Sequence, residues 1–288
     1  MPSPARPGSG AVRRRRLVAL ILVVLAAIVV LELAVGPASE RLGHGADLQR
    51  LELKSKATGE TLDLNLVVPD GGGRGRPLLV FLHGREVEGE ESNLNEEMYA
   101  ALAEQGERAP VVAFPDGGEA SYWHDRADGE WGAYVVDEVI PRATKESGAD
   151  PKRVAIGGIS MGGFGALDIA RVNPGRFCAV GGHSAALWQT GGESAPGAFD
   201  DADDFERHDV IEAAQSAPDP YLSQPVWIDS GEEDPFRPGI DAFAAALKSA
   251  GADLSFQISP GGHGGSYWAD HWDDYMRFYA RALSDCKT

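Results

Sequence analysis

Apolar residues follow three patterns along this chain, and each predicts a different kind of element. Residues 17–31 contain no polar side chain, and Leu33, Ala34 and Val35 carry the run past Glu32. Leu51-Glu52-Leu53-Lys54 and Leu62-Asp63-Leu64-Asn65-Leu66 alternate with a period of two, the pattern of paired antiparallel strands with one wet face. Leu78-Leu79-Val80-Phe81-Leu82, Val111-Val112-Ala113-Phe114 and Val154-Ala155-Ile156 are short and wholly apolar, as strands buried on both faces of a parallel sheet are. Helices are predicted around 95–105, 131–145 and 163–171, and strands around 177–180, 226–228 and 254–258. Ile240, Phe243, Ala244 and Leu247 form one helical face; Trp268, Trp272, Tyr275, Met276 and Tyr279 form another on a final amphipathic helix. Antiparallel strands followed by alternating β and α predict one α/β domain, a mostly parallel central sheet with helices on both faces. Residues 187–225, rich in Gly, Pro and Asp, break that rhythm and predict a cap or long loop over the sheet's edge.

The apolar run at the start has charged company. Residues 1–16 hold Arg6, Arg13, Arg14, Arg15 and Arg16 and no acid, so the positive end stays cytoplasmic and the apolar part enters the bilayer. The division is a basic cytoplasmic tail over 1–16, a signal-anchor or signal-peptide segment over 17–35, a linker over 36–46 and the folded domain over 47–288. The apolar segment falls between a signal-peptide core and the ~20 residues that span a bilayer. Pro37 and the lack of a clean A-x-A site favour an uncleaved anchor, giving an extracytoplasmic protein held by one N-terminal helix; cleavage would make it secreted. Beyond residue 36, 21 basic side chains face 43 acidic ones, a net charge of −22. That excludes a nucleic-acid partner, which needs a basic patch or stripe, and reads as solubility rather than recognition. Cys178 and Cys286 are too few for a disulfide scaffold and lack the paired spacing of a zinc site; the sequence leaves open whether they pair.

Candidate chemistry lies at the ends of the apolar strands. Gly158-Ile159-Ser160-Met161-Gly162 is a G-x-S-x-G pentapeptide between a buried strand and a helix, where a sharp turn needs small neighbours and lifts the Ser160 hydroxyl above the sheet. In that setting the order along the chain is nucleophile, acid, histidine. His263, in the glycine loop after the last strand, is the base; His271, within the aromatic-faced helix, has a packing role. The acid comes from 229–236, where Asp229, Glu232, Glu233 and Asp234 are all candidates; Asp234 ranks first because it can turn towards a base, and Asp229 second. Leu82-His83-Gly84-Arg85 ends another strand and can supply one backbone N–H to an oxyanion, with Met161 supplying the other; the His83 side chain supports the loop. Tyr122, Trp123 and His124 lie on the same functional edge and are candidate pocket residues.

Residues 157–167 (GGISMGGFGAL), 134–141 (YVVDEVIP), 229–236 (DSGEEDPF) and 260–268 (PGGHGGSYW) together resemble the esterase D-type branch of the α/β-hydrolases over about residues 60–285. That branch includes S-formylglutathione hydrolases, feruloyl and acetyl-xylan esterases and mycolyltransferases of the antigen 85 group. The resemblance implies an α/β-hydrolase fold, places the acid on Asp234 and an oxyanion N–H on Arg85. The export segment sets this chain apart from a cytosolic formylglutathione hydrolase. The expectation is an exported serine esterase acting on a small-molecule or cell-envelope ester through Ser160, His263 and Asp234, with no metal or cofactor. The alternatives are acyl transfer of the mycolyltransferase type and a non-catalytic binding protein on the same fold.

Overall fold

The computed structural model describes residues 39–85 and 93–286. The expected basic tail and apolar segment lie outside the described residues, among which no helix is long and apolar enough to cross a membrane. The strands are β1 (Ser39–Arg41), β2 (Asp47–Lys54), β3 (Thr61–Val68), β4 (Leu78–Leu82), β5 (Val111–Pro115), β6 (Asp125–Arg126), β7 (Gly129–Glu130), β8 (Val154–Ile159), β9 (Val180–His183), β10 (Val226–Gly231) and β11 (Leu254–Ser259). Nine of them form one sheet in the order β1-β2-β3-β5-β4-β8-β9-β10-β11, while β6 and β7 pair separately. The antiparallel pair expected from the alternation is β2 and β3, with Leu51 opposite Leu64 and Leu53 opposite Leu62. From β5 to β11 every pairing in the sheet is parallel. The stretch expected as a linker contributes β1, which extends the antiparallel edge.

The wholly apolar strands are buried on both faces because the pleat sends alternate side chains into two different cores. Leu78, Val80 and Leu82 of β4 enter the core on one face, and Leu79 and Phe81 the core on the other. The first face is covered by a helix over 131–147 (α2), by α3 (Met161–Val172) and by α7 (Arg237–Ala250), which contributes the predicted Ile240, Phe243 and Leu247. The second is covered by α1 (Glu96–Glu104) and by α8 (Gly265–Asp285), whose Trp272, Tyr275, Met276 and Tyr279 all point inward. Asn95 caps α1, its side chain accepting from the Met98 N–H, as a residue competing for a helix N-terminus does. Within α2, Tyr134–Val139 is a π-helical stretch ahead of Pro141, which has no N–H to give and crowds the preceding turn.

Two expectations need correction. The strand placed around 177–180 is β9, three residues later. Its Gly181 and Gly182 hid it, because glycine is depleted in strands; here a Cβ on Gly181 would overlap the Tyr279 hydroxyl. The region 187–225, expected as a cap or long loop, is not the long loop: it holds α4 (Ala202–Arg207), α5 (Val210–Ser216) and α6 (Asp219–Leu222). The aspartates that suggested loop are helix caps, Asp201 accepting from the Asp204 N–H and Asp209 from Ile211 and Glu212.

Cys178, just before β9, and Cys286, at the end of α8, form a disulfide across 108 residues. It ties the last helix to the sheet. For a closed loop of that length the entropy of the unfolded chain falls by an amount equivalent to about 4 to 5 kcal/mol. Cys286→Ser is expected to lower unfolding free energy by about 2–5 kcal/mol in denaturant titrations under non-reducing conditions. Dithiothreitol should destabilise the parent protein to the same level and leave the variant unchanged; equal stability of the two proteins without reductant would contradict the tie.

Candidate active site

Ser160 sits at the junction of β8 and α3 with φ 53° and ψ −116°, a conformation that costs a non-glycine residue about 1–3 kcal/mol and persists only when its surroundings impose it. The surroundings here are backbone. A Cβ on Gly158 would lie 2.5 Å from the Gly162 carbonyl and 2.6 Å from the Leu82 oxygen, and one on Gly162 would overlap Leu82 itself. Both glycines of the pentapeptide are therefore required by the close approach of the strand 4 loop to the turn. The Ser160 N–H donates to the His183 carbonyl (3.0 Å), and its own carbonyl accepts from Phe164 and Ala186 (3.0 and 2.9 Å). Of five non-glycine residues with positive φ among those described, Tyr122, Trp123, Ser160 and Ser184 all lie in the segments that meet here.

His263 Nε2 lies 2.9 Å from Ser160 Oγ, and Nδ1 lies 3.0 Å from Asp234 Oδ2. The other Asp234 oxygen accepts from the Phe236 N–H at 2.8 Å, so the carboxylate, its side chain fully buried, is fixed at both ends. The acid and histidine loops are laced together by backbone: Glu232 and Glu233 donate to Ser259 and Gly261, both at 2.9 Å. A Cβ on Gly231 would overlap the Gly261 carbonyl. Phe236 and Trp268 stand edge-on to the His263 ring at 4.9 and 5.2 Å, leaving it little freedom to turn. Glu232 and Glu233 are exposed.

Asp229, the second-ranked acid, faces elsewhere. Its Oδ1 accepts from His183 Nδ1 (2.6 Å) and Trp227 Nε1 (3.0 Å), and its Oδ2 from the Tyr267 and Tyr275 hydroxyls (3.0 and 2.9 Å). His183 Nε2 pairs with the Tyr279 hydroxyl at 2.8 Å. Burial and the Asp229 charge raise the pKa of both Tyr267 and Tyr275, so both hydroxyls stay protonated as donors. Sequence reasoning shows the tyrosines of α8 only as an apolar face; their spacing is the available sign that their hydroxyls converge.

Gly84 brings the strand 4 loop to Ser160: a Cβ there would come 3.3 Å from the serine's own Cβ. Arg85 follows it, while Met161 opens α3, where the first backbone N–H groups have no partner within the helix. His83 supports the loop, as expected. It is buried, its Nδ1 lies 2.6 Å from the Gly84 carbonyl, and its Nε2 accepts from the Gly117 N–H at 2.9 Å. Burial lowers its pKa, so the ring is neutral, donating through Nδ1 and accepting through Nε2. Of the three candidate pocket residues, Tyr122 faces this edge: the Arg85 guanidinium is within hydrogen-bonding reach of its hydroxyl, partly offsetting the rise in pKa that burial causes. Its ring meets Phe164, Trp188 and Phe199. Trp123 and His124 are corrections. Trp123 is wholly buried and donates through Nε1 to the His83 carbonyl at 3.2 Å. His124 is buried against Asp204, 3.1 Å away. Both side chains support the segment, buried and bordering a cavity shared with Asp168 and His208, because the positive-φ turn at 122–123 rolls them under it. His271, as expected, packs within its helix, Nδ1 lying 2.6 Å from the Tyr267 carbonyl.

The chain matches the family described as "Putative esterase" over residues 55–282. It is 24% identical over 253 residues to an esterase of Mycobacterium tuberculosis, covering 73% of this chain and 54% of that protein. It is 29% identical over 162 residues to S-formylglutathione hydrolase of Bos taurus, covering 53% of this chain and 57% of the relative. The chain thus spans about half the length of the curated relatives it matches. Among solved structures, a ferulic acid esterase superposes with a TM-score of 0.71 at 21% identity, covering 83% of this chain and 98% of that one. S-formylglutathione hydrolase from Agrobacterium tumefaciens gives 0.70 at 19%, covering 85% and 98%. These likenesses establish the α/β-hydrolase fold.

The separate surroundings of the two aspartates generate a stability prediction. Asp229→Asn sets an amide N–H₂ against existing donors and should cost about 1–3 kcal/mol in urea denaturation. The folded fraction should retain the low-field Nδ1 proton resonance of His263 in NMR, since that proton points at Asp234; its loss would place Asp229 in the His263 relay.

Proposed function

We propose, from the premise that this chain belongs to the esterase family, that it is an exported serine hydrolase of carboxylic esters working through an acyl-enzyme. The observation that carries the reading is the unbroken relay from Ser160 Oγ to His263 Nε2 and from His263 Nδ1 to Asp234 Oδ2, set on a strained turn. Ser160 attacks the acyl carbonyl while His263 takes its proton. Asp234 holds the imidazole in the Nδ1–H tautomer and stabilises the imidazolium that forms. The carbonyl oxygen, now an oxyanion, is held by the Arg85 and Met161 amides. Collapse expels the alcohol, which receives the proton from His263. Water activated by the same imidazole then releases the acid and regenerates Ser160. Every step uses this chain's own side chains and amides. The substrate class is a small-molecule or cell-envelope ester.

A fluorophosphonate probe should label Ser160 and no other residue, as read by mass spectrometry of digested protein. Asp234→Asn should lower turnover of a nitrophenyl ester by roughly two to four orders of magnitude, the loss that follows when a triad carboxylate becomes an amide. Glu232→Gln and Glu233→Gln, which change only a screened surface charge, should stay within about tenfold of the parent. An adduct elsewhere would overturn the hydrolase reading. Full activity in Asp234→Asn would move the acid and leave the Ser160–His263 pair standing.

Export rests on the arginine-flanked apolar segment over 17–35 and gains support from the Cys178–Cys286 disulfide, a bond that persists in oxidising compartments and is rare in the cytosol. The uncleaved-anchor reading places the protein in the membrane fraction, with residues 39–286 on the outer side and open to added protease. A released product whose sequence begins near Ser39 would refute the anchor and leave export intact.

A further inference from the structure

The insertion between β9 and β10 meets the 121–126 loop at a cluster of histidines and carboxylates that the proposed ester chemistry does not use. His124 comes from the loop, Asp204 from α4, and His208 from the residue that ends it. His124 Nε2 lies 3.1 Å from Asp204 Oδ2, and His208 Nε2 lies 3.7 Å from Asp204 Oδ1. One donor atom from each residue falls within 4.8 Å of the other two. Ligands bound tetrahedrally at about 2.0–2.1 Å stand about 3.3 Å apart, the scale of these separations. The side chains of His124 and Asp204 have no solvent exposure, and that of His208 has 13%.

The surroundings are those of a ligand set. His208 Nδ1 lies 2.7 Å from Asp168 Oδ2, and Asp168 is itself held through Oδ1 by Arg171 at 3.0 Å. A carboxylate on the far nitrogen fixes the tautomer that leaves the near nitrogen's lone pair free, the arrangement usual around metal-bound histidines. That lone pair faces an Asp204 oxygen that also accepts from the Arg207 guanidinium at 3.0 Å, a place where a divalent cation would satisfy both acceptors. His124 Nδ1 is buried and has no partner among the described residues; its Nε2 donates to Asp204 Oδ2, and a metal ion would take that proton's place. The cluster adjoins a cavity of ≈ 340 Å³ walled by His124, Asp168 and His208, with room for a water as fourth ligand.

We propose that His124, Asp204 and His208 bind a divalent transition-metal ion of the zinc class. Two imidazoles and a carboxylate suit Zn²⁺, Co²⁺ or Ni²⁺ better than Mg²⁺ or Ca²⁺, which take oxygen donors. The ion is a staple: it joins the insertion to the loop that presents Tyr122, beside the Arg126–Asp200 pair at 2.8 Å. No member of the cluster shares a hydrogen bond with Ser160, Asp234 or His263, so the site stands whether or not the ester chemistry does. Asp168 is a positioning residue that acts through His208.

The test uses the 288-residue chain in mild detergent, stripped with chelator and titrated with zinc chloride by calorimetry, with elemental analysis of the product. The expected result is one zinc per chain, reversible by chelator, with a raised melting temperature. Co²⁺ in its place should give visible ligand-field bands with two coordinated imidazoles by X-ray absorption. His124→Ala and His208→Ala should abolish uptake, Asp168→Asn should weaken it about 10- to 100-fold, and His263→Ala should bind zinc as the parent does. Absence of stoichiometric uptake by the parent overturns the proposal without recourse to variants. Uptake that survives His124→Ala and His208→Ala, or that is lost in His263→Ala, overturns it as well.

Discussion

Three stretches of backbone meet at the carboxyl edge of the sheet with no space for side chains between them, and the rest of the site depends on that contact. Leu82 and His83 press on Gly158 and Gly162, and the His183 carbonyl takes the Ser160 N–H. The sheet's parallel register sets this up: Leu82 lies opposite Gly158 and Ile159 opposite His183, so three adjacent strands end level with one another. Ser160 is held at positive φ because the chain has no other way to pass from β8 into α3 within that space. Strain of this kind persists only when the packing around it resists its release, and here that resistance comes from two buried cores that the same strands feed from either face.

One strand supplies two buried carboxylates with opposite destinations. Asp229 lies within β10, where the pleat directs it to the face covered by α8; Asp234 lies past the strand end, on a loop whose amides are laced to the 259–261 segment. The first is saturated by four donors, two of them tyrosine hydroxyls, so its charge is solvated inside the fold. The second gives one oxygen to a backbone amide and one to His263, so its charge acts on a ring that reaches Ser160. Position relative to the strand end, more than residue type, assigns the roles.

That division explains what is legible in the sequence. The alternating Leu51–Leu53 and Leu62–Leu66 patterns, the apolar strand at 78–82 and the elbow at 158–162 follow local rules, and a local reading finds them. Asp234 ranks first on the same ground, its distance beyond the strand. β9 escapes because two glycines stand where Tyr279, nearly a hundred residues later, needs space. Tyr279 is visible as part of an apolar stripe, but nothing local reveals that its hydroxyl meets His183. Trp123 and His124 are misplaced for a related reason: aromatic and charged residues on a functional edge suggest a pocket, and only the positive-φ turn at 122–123 shows that they roll beneath it. The helices of 202–222 are masked by aspartates that cap them, because capping and loop-forming residues are the same residues for the same physical reason.

The insertion is attached differently from everything beneath it. No strand of the main sheet comes from 187–222; the segment packs Leu187, Val210, Ile211, Ala214 and Tyr221 into the core and is also fastened by Arg126 to Asp200, His208 to Asp168 and His124 to Asp204. A run of rings also connects it to the relay, from His263 to Phe236, Trp188 and Phe199, and from there to Tyr122. These contacts are made by side chains, whereas the elbow depends on backbone that no single side chain can replace. The relay and the run of rings thus rest on different kinds of support, backbone and side chain, and they meet at the edge-on contact between Phe236 and the His263 ring.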